Sequence, residues 1–224
     1  MTHPHFPVWD VRVRTPRIEL RAVTQQEMAD QAEVAQRGIF SPGAMPMFSE
    51  PWTDLASPEL ERTMYQYWFR KWSEWSVDEW CLPFAVYLLD DGTSGGSGAT
   101  CVGNQITMAS HFLTTRVVST GSWLGLEHQG QGIGKEVRAA ALHLAFEGLG
   151  AVRAESEALA DNIASQKVTL AMGYHPNGDT IVVQRDVAQT LLRFALDRSD
   201  WESQRRDDIT IEGLDGALDM FGLA

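Results

Sequence analysis

Between Ser119 and Tyr174 the chain reads as a strand, a glycine-rich turn, a long helix, a second strand and a second helix, an order that constrains the fold more than any other stretch. The turn is Gln129-Gly130-Gln131-Gly132-Ile133-Gly134-Lys135. Glycines packed this densely between a strand and a helix let backbone approach a ligand closely. The helix behind them offers unpaired N–H groups and a positive dipole end to an anion. A phosphate-bearing cofactor is the first expectation.

Spacing separates the known phosphate turns. A P-loop needs glycine five residues before its Gly-Lys pair and Ser or Thr after it, whereas Gln129 and Glu136 stand at those positions. A dinucleotide fingerprint begun at Gly130 would need glycine where Lys135 lies. No Gly-x-Ser-x-Gly elbow is present, and the six histidines and two cysteines make no metal-ligand spacing, so neither a serine hydrolase nor a metal site is expected.

The formal net charge of −12 argues against a nucleic-acid surface, where affinity comes from neutralising phosphates with Lys and Arg. A cationic partner is the natural complement, although acidity also serves solubility. No apolar run is long enough for a membrane span and no secretory signal opens the chain, so a cytoplasmic protein with no membrane partner is expected. Cys81 and Cys101 open two strands of one hairpin, roughly 25 Å apart at about 3.3 Å per residue, and are read as free thiols.

Residues 1–14 read as an irregular arm, with a short strand at Trp9 to Val13. Arg17 to Arg21 alternates like a strand with one buried face, and Thr24 with Glu27 forms a capping box for a helix reaching Arg37. Ser41 to Thr53, with Met45, Pro46, Met47, Phe48 and Trp52, reads as a shaped loop beside a site. From Ser57 to Trp75 the spacing of Leu60, Met64, Trp68, Trp72 and Trp75 gives a helix with one apolar stripe. That stripe either docks on the sheet, walls an acceptor pocket or makes a dimer contact. Leu82 to Leu89 and Thr100 to Ser110 are strands joined by a long Gly/Ser loop, and Val117 to Leu126 is the next. Gly132 to Leu149 is a helix, Ala151 to Ala158 a strand and Asn162 to Met172 a helix stopped by Gly173. Val182 and Val183 begin a strand paired with Leu191 to Leu196, and residues 205–224 form a C-terminal extension containing the strand-like Ile209-Thr210-Ile211. The sum is one mixed α/β domain with helices on both faces.

Gln129-x-x-Gly132-x-Gly134 resembles the coenzyme A pyrophosphate loop of the GNAT acyltransferase superfamily. Ser122-Trp123-Leu124-Gly125, Asp161-Asn162-Ile163-Ala164-Ser165, Met172-Gly173-Tyr174 and the opening Thr15-Pro16-Arg17-Ile18-Glu19-Leu20-Arg21 are similar to the branch holding ribosomal-protein alanine N-acetyltransferases. These matches span about half the chain. The resemblance implies a mainly antiparallel central sheet, splayed at the cofactor site.

The resemblance also implies site residues. Leu124 and Leu126 would pair with the pantetheine arm, and N–H groups from Gly130 through Gln131, Gly132, Ile133 and Gly134 to Lys135 would hold the pyrophosphate, with Gln129 opening the loop and Lys135 and Arg138 supplying charge. Asn162 would bond the arm while capping its helix, and Ser165 would face the sulfur as acid. Phe48, Trp52 and Trp123 would lie on the acceptor side. The reaction implied is transfer of an acetyl group from acetyl-CoA to a small-molecule or peptide amine, with succinyl-CoA as the alternative donor. A non-catalytic acyl-CoA-binding module and a homodimerising protein are further alternatives. Two departures stand out. Ser119 occupies a position where the branch commonly has an acid, and Thr169 stands where many relatives carry a tyrosine. Glu155 matches a carboxylate frequent in the branch, named here as a catalytic candidate and as a candidate ion-pair partner. The base stays open, and positioning carries most of the catalysis.

Overall fold

The computed structural model describes residues 3–41, 48–90 and 98–223. Met45, Pro46 and Met47 of the shaped loop, and residues 91–97 of the long hairpin loop, lie outside the described residues. The strands are β1 (Arg12–Arg14), β2 (Ile18–Ala22), β3 (Glu79–Leu89), β4 (Ala99–Ser110), β5 (Val117–Leu124), β6 (Arg153–Leu159), β7 (His175–Gln184), β8 (Val187–Asp197) and β9 (Thr210–Glu212). The helices are α1 (Gln25–Gln36), α2 (Glu59–Ser73), α3 (Phe112–Thr115), α4 (Ile133–His143), α5 (Ile163–Ala171) and α6 (Arg198–Glu202). The strands form one nine-stranded sheet in the order β7-β8-β6-β5-β4-β3-β2-β1-β9. Every pairing in it is antiparallel except β5 with β6.

Local chemistry explains the elements that bear on the site. The capping box at Thr24 and Glu27 is present and starts α1, each partner satisfying a donor that the first helical turn leaves open. In α2 the stripe of Leu60, Met64, Trp68 and Trp72 is buried in the core, and the Trp72 indole N–H donates to the Val23 carbonyl at 2.9 Å. Burying side chains of this size stabilises by roughly 1.5–3 kcal/mol each, so docking on the sheet, and not a dimer contact, accounts for these tryptophans. Trp75, at the end of the helix, donates to the Met220 carbonyl at 3.0 Å and so ties in the C-terminal segment.

Several elements differ from expectation. The N-terminal arm is ordered as a 3-10 turn at Pro7–Asp10 and as β1, which pairs with β9 from the C-terminal extension, so the two ends of the chain close one side of the sheet together. The long helix leaves α-geometry at Leu144, where a π-turn runs to Gly148. β7 begins at His175, ahead of Val182, because residues 175–180 are all exposed and the register slips between Pro176 and Asp179, leaving no alternation to read. Glu19 is 3% exposed inside β2 with Arg14 and Arg21 on its carboxylate, so that strand is not simply apolar on one face. Cys81 and Cys101 are free and buried, as expected.

The parallel ladder between β5 and β6 has only three rungs, Val117 with Arg153, Val118 with Ala154 and Ser119 with Glu155. From Thr120 to Leu124, β5 keeps β4 on one side and has no strand on the other. β6 continues against β8 alone. This is the splay that positions the site.

Candidate active site

The turn after β5 is built by its glycines. Gly130 and Gly132 have φ of +74° and +80°, the left-handed region that side-chain-bearing residues avoid. A methyl at Gly130 would meet nothing within 4 Å, and one at Gly132 would reach only the Arg17 Nη1 at 4.0 Å, so the space above the turn is open. The backbone N–H groups of Gly130, Gln131, Gly132, Ile133 and Gly134 donate to no described residue. They form an anion cradle at the N-terminus of α4, where the dipole adds to the unpaired donors. Lys135 differs, since its N–H donates to the Gly132 carbonyl at 3.1 Å and its side chain is exposed.

The donors of Gln129 and Leu126 are engaged within the chain. The Gln129 amide donates to the carbonyls of Ile39 at 2.7 Å and Leu124 at 2.9 Å, and its N–H donates to Leu126. It braces the turn against β5. The Leu126 N–H donates to Gly38 at 3.0 Å, in a short 3-10 turn, and is unavailable to a ligand. Leu124 sits at the open edge of β5 as expected.

Arg138 turns inward. It is 3% exposed, donates to the Ser156 hydroxyl at 3.0 Å and lies 5.8 Å from the Tyr174 ring centre, with its Nε unpartnered. No carboxylate pairs with it among the described residues. The Thr120 and Tyr174 hydroxyls stand 3.3 Å apart beside it. This polar cluster packs behind the point where β5 and β6 part, on the α4 side, and leaves the cradle to other charges. One of these is Arg17, which sequence reading assigned only to the opening strand. Its guanidinium is beside Gly132 and 3.4 Å from Glu136, whose carboxylate also accepts from Thr15 at 2.6 Å and has Arg206 at 3.8 Å.

Asn162 caps α5, accepting the Ser165 N–H at 3.1 Å. Ser165 thus sits in the first turn of α5, which packs on α4 with Val168 against Gly134. Thr169 is fully buried and its hydroxyl unpartnered.

On the opposite face, the register sets Cys81, Met108, Ser119 and Glu155 in one row across four strands. All four line a cavity of about 490 Å³, walled by Lys71 and Glu74 of α2. Glu155 is half-buried and makes no side-chain hydrogen bond or ion pair among the described residues, so the ion-pair role is not the one it has. Burial pushes the Cys81 thiol up to about 11, which keeps it a neutral wall. Phe48, Trp52 and Trp123 do come together, with ring centres 5.0 Å apart for Phe48 and Trp52 and 6.1 Å apart for Trp52 and Trp123. They pack at the turn end of β5, about 13 Å along the strand from Ser119, and do not line the cavity. Asp54, in the same loop, accepts from Arg185 at 2.5 Å, which ties the loop to the β7–β8 hairpin.

The family model described as the acetyltransferase (GNAT) domain matches residues 17–175. The chain belongs to that family. It is therefore a transferase of acyl groups, on a fold shared with solved acetyltransferases. A Vibrio cholerae protein assigned as a ribosomal-protein-serine acetyltransferase is 22% identical, with 88% of this chain and 99% of that one covered and a TM-score of 0.62. The ribosomal-protein-S5-alanine acetyltransferase of Vibrio fischeri is 15% identical over 86% and 99%, with a TM-score of 0.63. A ribosomal L7/L12 alpha-N-protein acetyltransferase, solved with coenzyme A, is 14% identical over 82% and 95%, also at 0.63. At these identities the GNAT likeness is one of fold. Among the described residues no helix is long and apolar enough to cross a membrane, and no cluster of metal-ligating side chains occurs.

Proposed function

We propose that this GNAT chain is an acyl-CoA-dependent N-acyltransferase that moves an acetyl group from acetyl-CoA to a primary amine on a small molecule or peptide. One arrangement carries the reading. Unclaimed N–H groups from Gly130 to Gly134 lie at one end of the open β5 edge, and Glu155 lies at the other, beside a cavity. Coenzyme A supplies the acyl group as an activated thioester. The cradle suits its diphosphate, and the edge of β5 from Thr120 to Leu124, which no strand covers, suits an extended amide-bearing arm, although Gln129 already holds the Leu124 carbonyl and Ser156 the Thr120 carbonyl.

The chain's own residues then divide the proton work. Glu155 takes a proton from the incoming ammonium on the cavity face. Ser165, on α5 at the other face, gives a proton to the departing sulfur. Holding the two groups on opposite sides of the splay supplies most of the rate through orientation, with the acid–base steps adding on the order of 10²–10⁴-fold.

A second donor is favoured by one observation. Arg138, on α4, is a buried guanidinium with a free Nε and no carboxylate partner among the described residues, donating to Ser156, one residue past the last β5–β6 rung. Buried charges are ordinarily paired, so a succinyl group, whose free carboxylate could reach it, is the alternative donor. Thiol release measured with acetyl-CoA and succinyl-CoA against a panel of amines decides between them. Tight coenzyme A binding without release with any amine would instead make the chain a binding module. The homodimer we assign to the outer edge of β7, where Ile181 and Val183 are 66% and 72% exposed, and sedimentation tests it.

A further inference from the structure

The cavity beside Glu155 has its own chemistry. Its charged lining is Glu74, Glu79 and Glu155 against Lys71 alone. Lys71 is already engaged, with its Nζ 3.1 Å from Glu74. Glu79 accepts from the Ser110 hydroxyl at 2.8 Å, which fixes its carboxylate at the cavity's outer end, and its side chain is 55% exposed. Glu155 lies at the inner end, on the last rung of the ladder. The register puts Glu79 three strands over and two residues along from Glu155, so their α-carbons stand roughly 16 Å apart.

A monoamine placed at Glu155 would leave Glu79 without a cation from the cavity lining, because the one lysine there is on Glu74. We propose that this cavity takes a linear di- or triamine, with its terminal primary amine at Glu155 and a second, protonated nitrogen held between Glu74 and Glu79. This rests on the reading that the site transfers an acyl group to an amine. In that step the terminal ammonium gives its proton to Glu155, the nitrogen lone pair forms a bond to the thioester carbonyl carbon, and the carbon–sulfur bond breaks. The sulfur takes a proton from Ser165, whose oxygen takes the second proton that the acylated nitrogen sheds, and Glu155 releases its proton to water. The products are the amide, the free thiol and one proton. The volume of about 490 Å³ lies within the range of small-molecule pockets, which favours a free polyamine over a folded protein tail.

The test uses the full chain with acetyl-CoA and compares spermidine with n-butylamine, which share an aminobutyl end, and with a lysine-containing tripeptide amide. Spermidine should exceed n-butylamine in kcat/KM by about fivefold or more at low salt, the advantage shrinking as salt is added, as solvent-accessible charge pairs require. The double substitution Glu74→Gln with Glu79→Gln should erase that preference. Equal kcat/KM for the two amines, a preference that survives the double substitution, or the tripeptide surpassing spermidine would each overturn the proposal. If no amine releases thiol, the transfer reading falls and calorimetry of spermidine decides the cavity. Binding that is lost in the double variant upholds the cation site, and no binding to the unsubstituted chain removes it.

Discussion

Ser119 and Glu155 form the last rung between β5 and β6, side by side on the cavity face. The pairing sets the Glu155 carboxylate one strand over from Ser119, where the proposed reaction needs a base. Glu155→Gln should lower kcat by about 10²–10³-fold while leaving the Kd for coenzyme A unchanged. Unchanged turnover would remove Glu155 from the reaction.

Ser165→Ala keeps the backbone N–H that Asn162 accepts, so α5 stays capped. Turnover should fall about tenfold or more with little change in KM for the acyl donor. An equal change in both would mean that the hydroxyl binds and does not protonate.

Gly132→Glu should abolish coenzyme A binding by calorimetry, since a carboxylate would occupy the cradle. Its left-handed φ of +80° adds a cost of about 1–2 kcal/mol, visible as a lower melting temperature with unchanged circular dichroism. Gly134→Ala is the control, because the added methyl would lie 3.6 Å from Val168, an ordinary contact. Retained binding in Gly132→Glu would refute the placement of the diphosphate.

Arg17→Gln should weaken coenzyme A binding about fivefold, on the order of 1 kcal/mol, and the loss should diminish with salt. An unaltered Kd would confine Arg17 to its contact with Glu136, 3.4 Å away.

Alkaline stability should follow the two thiols. Burial raises Cys81 from its ordinary 9.0 to about 11 and Cys101 to about 12. Each binds its proton more tightly folded than unfolded, so the stabilisation is complete below pH about 9 and is lost as pH rises through the folded values. Urea midpoints should fall from pH 9 to 11, and less steeply in a Cys81→Ser, Cys101→Ser variant. The same slope in both would exclude the thiols as its source.

Features set by neighbours in sequence were legible. The capping box at Thr24, the glycine turn, the Asn162 cap and the stripe of Trp68 and Trp72 all follow from local spacing. Features set by hydrogen-bond partners far along the chain were not. Gln129 and Leu126 looked available because nothing near them shows that the carbonyls of Ile39 and Gly38 would claim their donors. Arg138 and Lys135 are three residues apart on one helix, yet only packing reveals that the first is buried against Ser156 and the second exposed. The pairing of β1 with β9 joins strands of three residues each, too short to carry a pattern. Glu155 was noticed by likeness alone. Its value comes from standing opposite Ser119, a relation that exists only once the strands are paired.

The three-rung ladder also makes this sheet a mechanical joint. Among the described residues, the strand ladder joins β6, β7 and β8 to the other six only at Val117, Val118 and Ser119, with α4 and α5 bridging behind. A molecule lying along the free edge of β5 would act as a strut, spanning the gap where backbone pairing stops. The donor would then be a structural part of the enzyme for as long as it stays. Amide exchange in β6 should slow when coenzyme A is added, while exchange in β2 and β3, already held on both sides, should change little.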